Sequence, residues 1–233
     1  MVASEVLAET SPALAGCRGR TVVIPYGVDA RDCPADPDLV HTLRRRHGPF
    51  VLYLGRLVAY KGLEVLIEAM RTVDATLVIV GDGPDRRRLE WVAVAASPRR
   101  PVRFVGTVTN AERSAYQRAA EVFVLPSISR AESVGIAMLE AMSQGTPAIS
   151  TELGTATSWV NRDGETGLVV PPNDRAVLTD AIETLLADNR LRLALGAAAA
   201  RRAERHFSKG VMLDRLAEVY RAAAIDRCAS TSR

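Results

Sequence analysis

The sequence predicts an α/β fold: a parallel sheet covered by helices on both faces, with a helical extension at the C-terminal end. Three observations carry that expectation. From Phe50 onward, apolar runs of four to six residues alternate with amphipathic helical stretches. Continuous apolar strands of this kind are buried on both faces, as in sheets built from βα units. Glycine and charge then collect just past those runs, at Gly55-Arg56, Gly81-Asp82-Gly83, Gly106 and Glu132-Ser133-Val134-Gly135. Ligands on parallel sheets bind beyond the carboxyl ends of the strands, and glycine lets them approach the backbone. After Pro171-Pro172 the pattern is helical.

Composition narrows the function classes. The chain has 233 residues, long enough to bury a substantial core. Its 30 basic and 27 acidic residues give a net charge of +3, too balanced to argue for nucleic acid or a membrane surface. Arginine clusters at Arg44–Arg46, Arg86–Arg88 and Arg201-Arg202 are interleaved with apolar helical positions and read as solvated helix faces. Cys17, Cys33 and Cys228 are widely spaced and lack a C-x-x-C pattern, so zinc is not expected. No stretch approaches the ~20 apolar residues of a membrane span, and the first residues lack the basic-then-apolar order of a signal peptide. The expectation is a cytoplasmic, reduced protein.

Taken in order, residues 1–20 are weakly patterned, with Val6, Leu7 and Leu14 pointing to a short helix. Residues 21–25 (TVVIP) predict a strand, 26–29 a turn and 29–38 a loop. Asp36-Pro37-Asp38 is formally a D-x-D pair, but it precedes a predicted helix over 39–46 and reads as an N-terminal cap rather than a metal site. Phe50–Leu54 predicts a strand, and a helix is expected from Lys61, with Leu63, Leu66, Ile67 and Met70 on one face. Thr76–Val80 is a strand, followed by the turn Gly81-Asp82-Gly83-Pro84 and a helix to about Ala96. Strands over 102–105, 121–127, 146–151 and Gly167–Val170 come next, with helices over 110–120 and 133–144 between them. Three more helices are expected over 174–188, 191–207 and 208–224, then a polar tail.

The stretch 132–150 organises the chain. If the helix begins near Ser133, Glu132 and Glu140 stand about 80° and ~12 Å apart on it, able to address one elongated ligand. The free amides of Ser133, Val134, Gly135 and Ile136 would form an anion cradle between two acceptor-only carboxylates. Hydroxyls at the ends and phosphate in the middle describe a nucleotide sugar. The alternative is a plain strand-to-helix turn with a solvated Glu132 and a helix-surface Glu140. Arg56, just past the first strand, and Lys61, at the next helix, would project over the same edge. Two cations and a helix start can neutralise a diphosphate without a metal. Each alone reads more readily as a surface residue, whereas the two together, at matching strand ends, favour the diphosphate role.

Five motifs occur in sequence: G-R-L-x-x-x-K-G from Gly55, G-D-G-P from Gly81, V-x-F-x-G from Val102, E-S-V-G-x-x-x-x-E-A-M-x-x-G-T-P from Glu132 and E-T-G-L-V-V-P-P from Glu165. Together they resemble the C-terminal half of a retaining glycosyltransferase of family 4, over roughly residues 22–224. The resemblance implies a Rossmann-like domain, one half of a GT-B fold, that binds a UDP- or GDP-sugar. It implies that Arg56 and Lys61 hold the diphosphate, Glu132 the sugar hydroxyls and Glu140 the ribose. The amides of Ser133, Val134, Gly135 and Ile136 would touch sugar and phosphate. Val105 and Gly106 would lie near the base, and Gly55, Gly81, Asp82 and Gly83 would line the floor. Arg56, Lys61 and Glu132 are the expected catalytic residues, with no metal and no cofactor.

Two departures from the family pattern stand out: Val134 replaces a usual aromatic, and the upstream acceptor domain is not in this sequence. The resemblance then divides the chain into a crossing segment over 1–29, a donor-binding domain over 30–207, a helix over 208–224 that would pack on the acceptor domain, and a disordered tail over 225–233. The expected partners are a nucleotide sugar and an acceptor-domain protein, with no nucleic acid. The alternatives are a nucleotide-sugar binding module, a subunit of a split transferase and, more distantly, a nucleotide-sugar 2-epimerase. The last would need acid–base groups in the cleft, and His41, His47 and His206 lie outside the motifs.

Overall fold

The computed structural model describes residues 1–32 and 34–231, without the side chains of 18, 31 and 225–231. The elements are α1 (Glu5–Thr10), α2 (Pro37–His47), β1 (Phe50–Leu54), α3 (Leu63–Ala69), β2 (Thr76–Val80), α4 (Arg86–Ala96), β3 (Val102–Gly106) and α5 (Asn110–Ala119). They continue as β4 (Val122–Leu125), α6 (Ile136–Ser143), β5 (Ala148–Thr151), α7 (Ala156–Val160), β6 (Gly167–Val170), α8 (Arg175–Ala187), α9 (Asn189–Phe207) and α10 (Lys209–Thr231). The six strands are parallel, in the order β3-β2-β1-β4-β5-β6. The order reverses between β1 and β4, where a doubly wound sheet opens its binding crevice.

Alternation along each strand feeds two cores. Phe50 and Leu52 of β1 join α2, α5, α6, α7 and α9 on one face. Val51 and Tyr53 join α3, α4 and α8 on the other. All four side chains are fully buried, which is why the run carries no charged residue. The α2 helix starts on Asp36, whose carboxylate accepts from the Asp38 amide at 2.9 Å, so the D-x-D pair is a cap. In α5 a full capping box joins Thr109 and Glu112.

Four expectations need correcting. Residues 21–25 are not a strand of the sheet. Val23 makes one isolated bridge with Val2, and an apolar β-branched run without a neighbouring edge cannot extend a ladder. The helix expected from Lys61 begins at Leu63, because Gly62 adopts φ 67° and Ala59–Lys61 is a 3-10 turn. The helix expected from Ser133 begins at Ile136, because Gly135 adopts φ 78°. The helix expected to stop at Ala224 continues in its backbone to Thr231, and residues 232–233 of the expected tail lie outside the described residues. Cys33 and the Cys228 side chain lie outside them too, while Cys17 is an exposed free thiol.

Gly62 combines a left-handed backbone with a crowded position: a Cβ there would sit 2.0 Å from the Pro126 carbonyl oxygen. Gly48 has nearly the same φ, 68°, with nothing within 4 Å of a Cβ. Gly62→Ala should therefore cost about 2–5 kcal/mol, strain plus overpacking, and Gly48→Ala only ~1–2 kcal/mol. Denaturant midpoints of the two variants measure the difference.

Candidate functional site

The crevice between β1 and β4 is built by two loops locked together through their backbones. After β1, the Gly55 amide donates to the Val80 carbonyl at 3.0 Å and the Leu57 amide to the Asp82 carbonyl at 2.9 Å. A Cβ on Gly81 would lie 2.0 Å from the Gly55 oxygen, and one on Gly83 2.3 Å from the Leu57 oxygen. These glycines let the loops after β1 and β2 touch. After β4, the Ile128 amide donates to the Tyr60 carbonyl at 2.8 Å, and the Thr151 hydroxyl donates to the Ser127 carbonyl. The β4 exit is thereby fixed against the turn that carries Lys61.

That framework sets Lys61 directly against Glu132. The ammonium is in ion-pair contact with Glu132 Oε2, and the two side chains are only 15% and 8% exposed. The fully buried Ser127 hydroxyl donates to the same oxygen at 3.0 Å. The ammonium also stands 5.2 Å over the Tyr60 ring, a cation–π contact. Tyr53 lies fully buried beneath, its hydroxyl donating to the Arg56 carbonyl at 3.0 Å. Burial first, and then the Glu132 charge and Tyr60, push the Tyr53 pKa far above the ordinary phenol value. Arg56 itself is exposed, and its guanidinium makes no ion pair among the described residues.

Glu132 and Glu140 do not share one helix. Glu132 lies in the loop before Gly135, so the geometry of two carboxylates on a common helix does not hold. Of the four expected amide donors, only Ile136 belongs to the helix start; Ser133, Val134 and Gly135 are loop. The Ser133 carbonyl accepts from the Ala156 amide, while the Val134 side chain is buried in the core. Glu140 faces α5: Gln117 Nε2 donates to it at 3.2 Å, and Arg113 Nη2 lies 3.4 Å away. Glu140 borders a cavity of about 290 Å³ with Asn110, Arg113, Ile136 and Lys209.

A third group forms at β3. Gly106 has φ 86°, and Val105 packs half-buried against the core. Arg86 reaches over Gly106, donates to the Phe104 carbonyl at 3.5 Å and pairs with Asp82 at 3.7 Å and Glu90 at 2.9 Å. Arg86 therefore does not belong to a solvated arginine face. Sequence reasoning also misses Tyr53, Ser127, Arg113 and Gln117. Only the position of Arg86, first in the helix after G-D-G-P, offers a signal.

Other features lie apart from this crevice. A cavity of about 620 Å³ includes Val58, Gly62 and Ile128 but neither Lys61 nor Glu132. Its charges answer one another, Arg88 with Glu64 and Asp85, and Arg175 with Glu68. His47, on α2, packs against Phe50 and Tyr116, and burial, then Arg46 and Arg103, lowers its pKa. His206, on α9, is likewise lowered, by burial and then by Arg202 and neighbouring arginines. His41 is exposed on α2. Among the described residues no three His, Cys, Asp or Glu gather as a metal-binding group, and no helix is long and apolar enough to cross a membrane.

Fold and crevice together define a Rossmann-like, doubly wound α/β domain with its charged groups at the switch point. The chain belongs to the glycosyl transferases group 1 family, whose model matches residues 40–202. It is 41% identical over 179 residues to the D-rhamnosyltransferase WbpZ of Pseudomonas aeruginosa, covering 76% of this chain and 46% of that protein. It is 37% identical to the phosphatidyl-myo-inositol mannosyltransferase of Mycobacterium leprae, covering 87% of this chain and 54% of that one. The chain therefore spans about half the length of the curated relatives it matches. Among solved structures, the sucrose-phosphate synthase of Thermosynechococcus elongatus, a chain 30% identical, superposes with a TM-score of 0.80 over 88% of this chain and 53% of its own. The expected GT-B-type domain is thus the one found.

The coupling of Lys61 to Glu132 is measurable without a ligand. Lys61→Met leaves a largely buried carboxylate with Ser127 as its remaining partner and should cost on the order of 3 kcal/mol. Adding Glu132→Gln to that variant should restore more than half of the loss. Chemical denaturation of the singles and the double checks this; additive losses would mean the two groups are uncoupled.

Proposed function

We propose that this chain is the donor-binding half of a retaining glycosyltransferase. It would take a UDP- or GDP-sugar and pass the sugar to a glycan or lipid-linked acceptor, without a metal. The observation that carries the reading is the Lys61–Glu132 pair at the β1/β4 switch point, with exposed Arg56 on the same loop after β1, in a chain of this family. Relatives named for rhamnosyl and mannosyl transfer support a hexose-type donor.

In this reading the leaving group is the nucleoside diphosphate, and its growing charge is what the site must stabilise. Arg56 and Lys61 supply two cations at one edge, the first without an ion-pair partner among the described residues. Glu132 accepts from hydroxyls of the transferred sugar. Glu140, already an acceptor for Gln117, accepts from the ribose. The Gly55–Gly81 double loop forms the floor, and the backbone at Val105 and Gly106, with Arg86 alongside, borders the base.

The same reading divides the chain. Residues 1–29 cross between domains, 30–207 bind the donor, and α10 packs on an acceptor domain. In support, the described side chains of α10 include none that is buried, and Leu213 and Tyr220 are 56% and 63% exposed. The chain alone should bind donor and transfer little; robust turnover on a simple acceptor would overturn this part.

Calorimetric titration with UDP, GDP, ADP and their hexose conjugates, in chelator, tests the reading. One nucleotide series should bind selectively. Arg56→Ala should weaken the diphosphate by roughly ten- to a hundredfold, the worth of a charge-assisted contact of about 1.5–3 kcal/mol. Glu140→Ala should weaken every ribonucleotide of that series but spare inorganic pyrophosphate. Equal losses for pyrophosphate would remove Glu140 from the ribose site.

A further inference from the structure

Lys61 and Glu132 already neutralise each other across the crevice, and each is wanted by a different part of a bound nucleotide sugar. The diphosphate needs the ammonium, and the sugar hydroxyls need the carboxylate. The pair lies in a largely enclosed place, with side chains 15% and 8% exposed. If Lys61 alone moves away, Glu132 keeps one side-chain donor among the described residues, the Ser127 hydroxyl, bound to the same oxygen that Lys61 holds. A buried carboxylate stripped of its cation is costly unless other donors replace it. Arg56 carries no such obligation, because it is exposed and makes no ion pair among the described residues.

We infer that Glu132 is an internal stand-in for the donor's diphosphate, so that Lys61 is exchanged between the two as the donor binds and leaves. The inference rests on the donor-binding reading and deepens it. On binding, Lys61 passes from Glu132 to the diphosphate, and the sugar hydroxyls take its place on the carboxylate. A nucleoside diphosphate without a sugar offers no replacement. It must either leave Glu132 unpaired or bind without Lys61. The site therefore favours the sugar conjugate over the bare nucleotide. Once the sugar has gone, Glu132 reclaims Lys61, and the diphosphate loses one of its two cations. Arg56 holds the diphosphate throughout. The exchange is a specificity device: it recognises the sugar through the fate of a cation that never touches it.

The test compares wild type with Glu132→Gln in calorimetric titrations with UDP, GDP and their hexose conjugates. Gln keeps the shape and can still accept from Ser127, but it releases Lys61. The variant should bind the nucleoside diphosphate at least tenfold more tightly than wild type. Its preference for the conjugate should shrink by at least tenfold. If wild type binds a nucleotide series and the variant binds the diphosphate no more tightly, the exchange is overturned while the donor-binding reading stands. If wild type binds none of these ligands, both fall. A second readout needs no folded Gln variant: the ¹³C resonance of the Glu132 carboxylate in wild type. It should shift on saturation with the hexose conjugate, as Lys61 leaves and sugar hydroxyls take its place, and a resonance that stays in place overturns the exchange.

Discussion

The ion pair between Lys61 and Glu132 joins segments 71 residues apart in sequence across the point where the sheet reverses direction. No main-chain ladder continues there: β1 and β4 have ended, and the chain beyond each of them is loop. Cohesion at this point comes from one backbone bond, Ile128 to Tyr60, one close approach, Gly62 beneath Pro126, and the charge pair above them. A buried pair is weak grounds for stability, because desolvation offsets most of the Coulomb gain. Under the proposed reading, a ligand that needs both charges accounts for a pair placed in an enclosed crevice.

The glycines explain how charge is brought to that crevice at all. Gly81 and Gly83 let two successive loops meet backbone to backbone, and Gly62 lets the Lys61 turn slide under the β4 exit. Each substitutes a main-chain contact for a side chain. The result is a rim tied backbone to backbone, with the Lys61 ammonium over the Tyr60 ring. A site for a charged leaving group gains from such ties, since dipoles and charges already in place cost no reorganisation when charge develops.

The sequence makes the sheet legible where burial is complete and obscures it where contacts are long-range. β1 and β2 match the expected bounds because runs such as Phe50–Leu54 are apolar on both faces and end at glycine. The same logic fails for TVVIP, whose apolar run is real but whose bridge partner is a single residue, Val2. Helix starts slip by two or three residues at Lys61 and Ser133 because Gly62 and Gly135 take left-handed conformations that end one turn before starting another. Motif spacing locates Arg56, Lys61, Glu132 and Glu140, but not their partners. Ser127, Arg113, Gln117 and Arg86 carry no periodic signal. Ser127 reaches Glu132 across a short loop, Gln117 and Arg113 reach Glu140 because α5 packs on α6, and Arg86 lies over Gly106 because β2 and β3 are neighbours.

The two carboxylates, finally, are held in unlike ways, and that difference orders the site. Glu140 sits on α6, a rigid helix, with a neutral amide and a partly exposed arginine at 3.2 and 3.4 Å. Such a carboxylate can take another donor without losing its own. Glu132 sits in a loop, more deeply enclosed, with a full positive charge as principal partner. Its Lys61 and Ser127 contacts both fall on Oε2, so donors that displace the ammonium there change its charge balance. In the proposed donor site Glu140 would therefore be a fixed acceptor and Glu132 a conditional one. A ligand that fills only the fixed end gains contacts, whereas one that spans both also redistributes charge. The stretch from Glu132 to Glu140 matters less as a helical repeat than as the tether joining these two behaviours, with Gly135 as the joint between loop and helix.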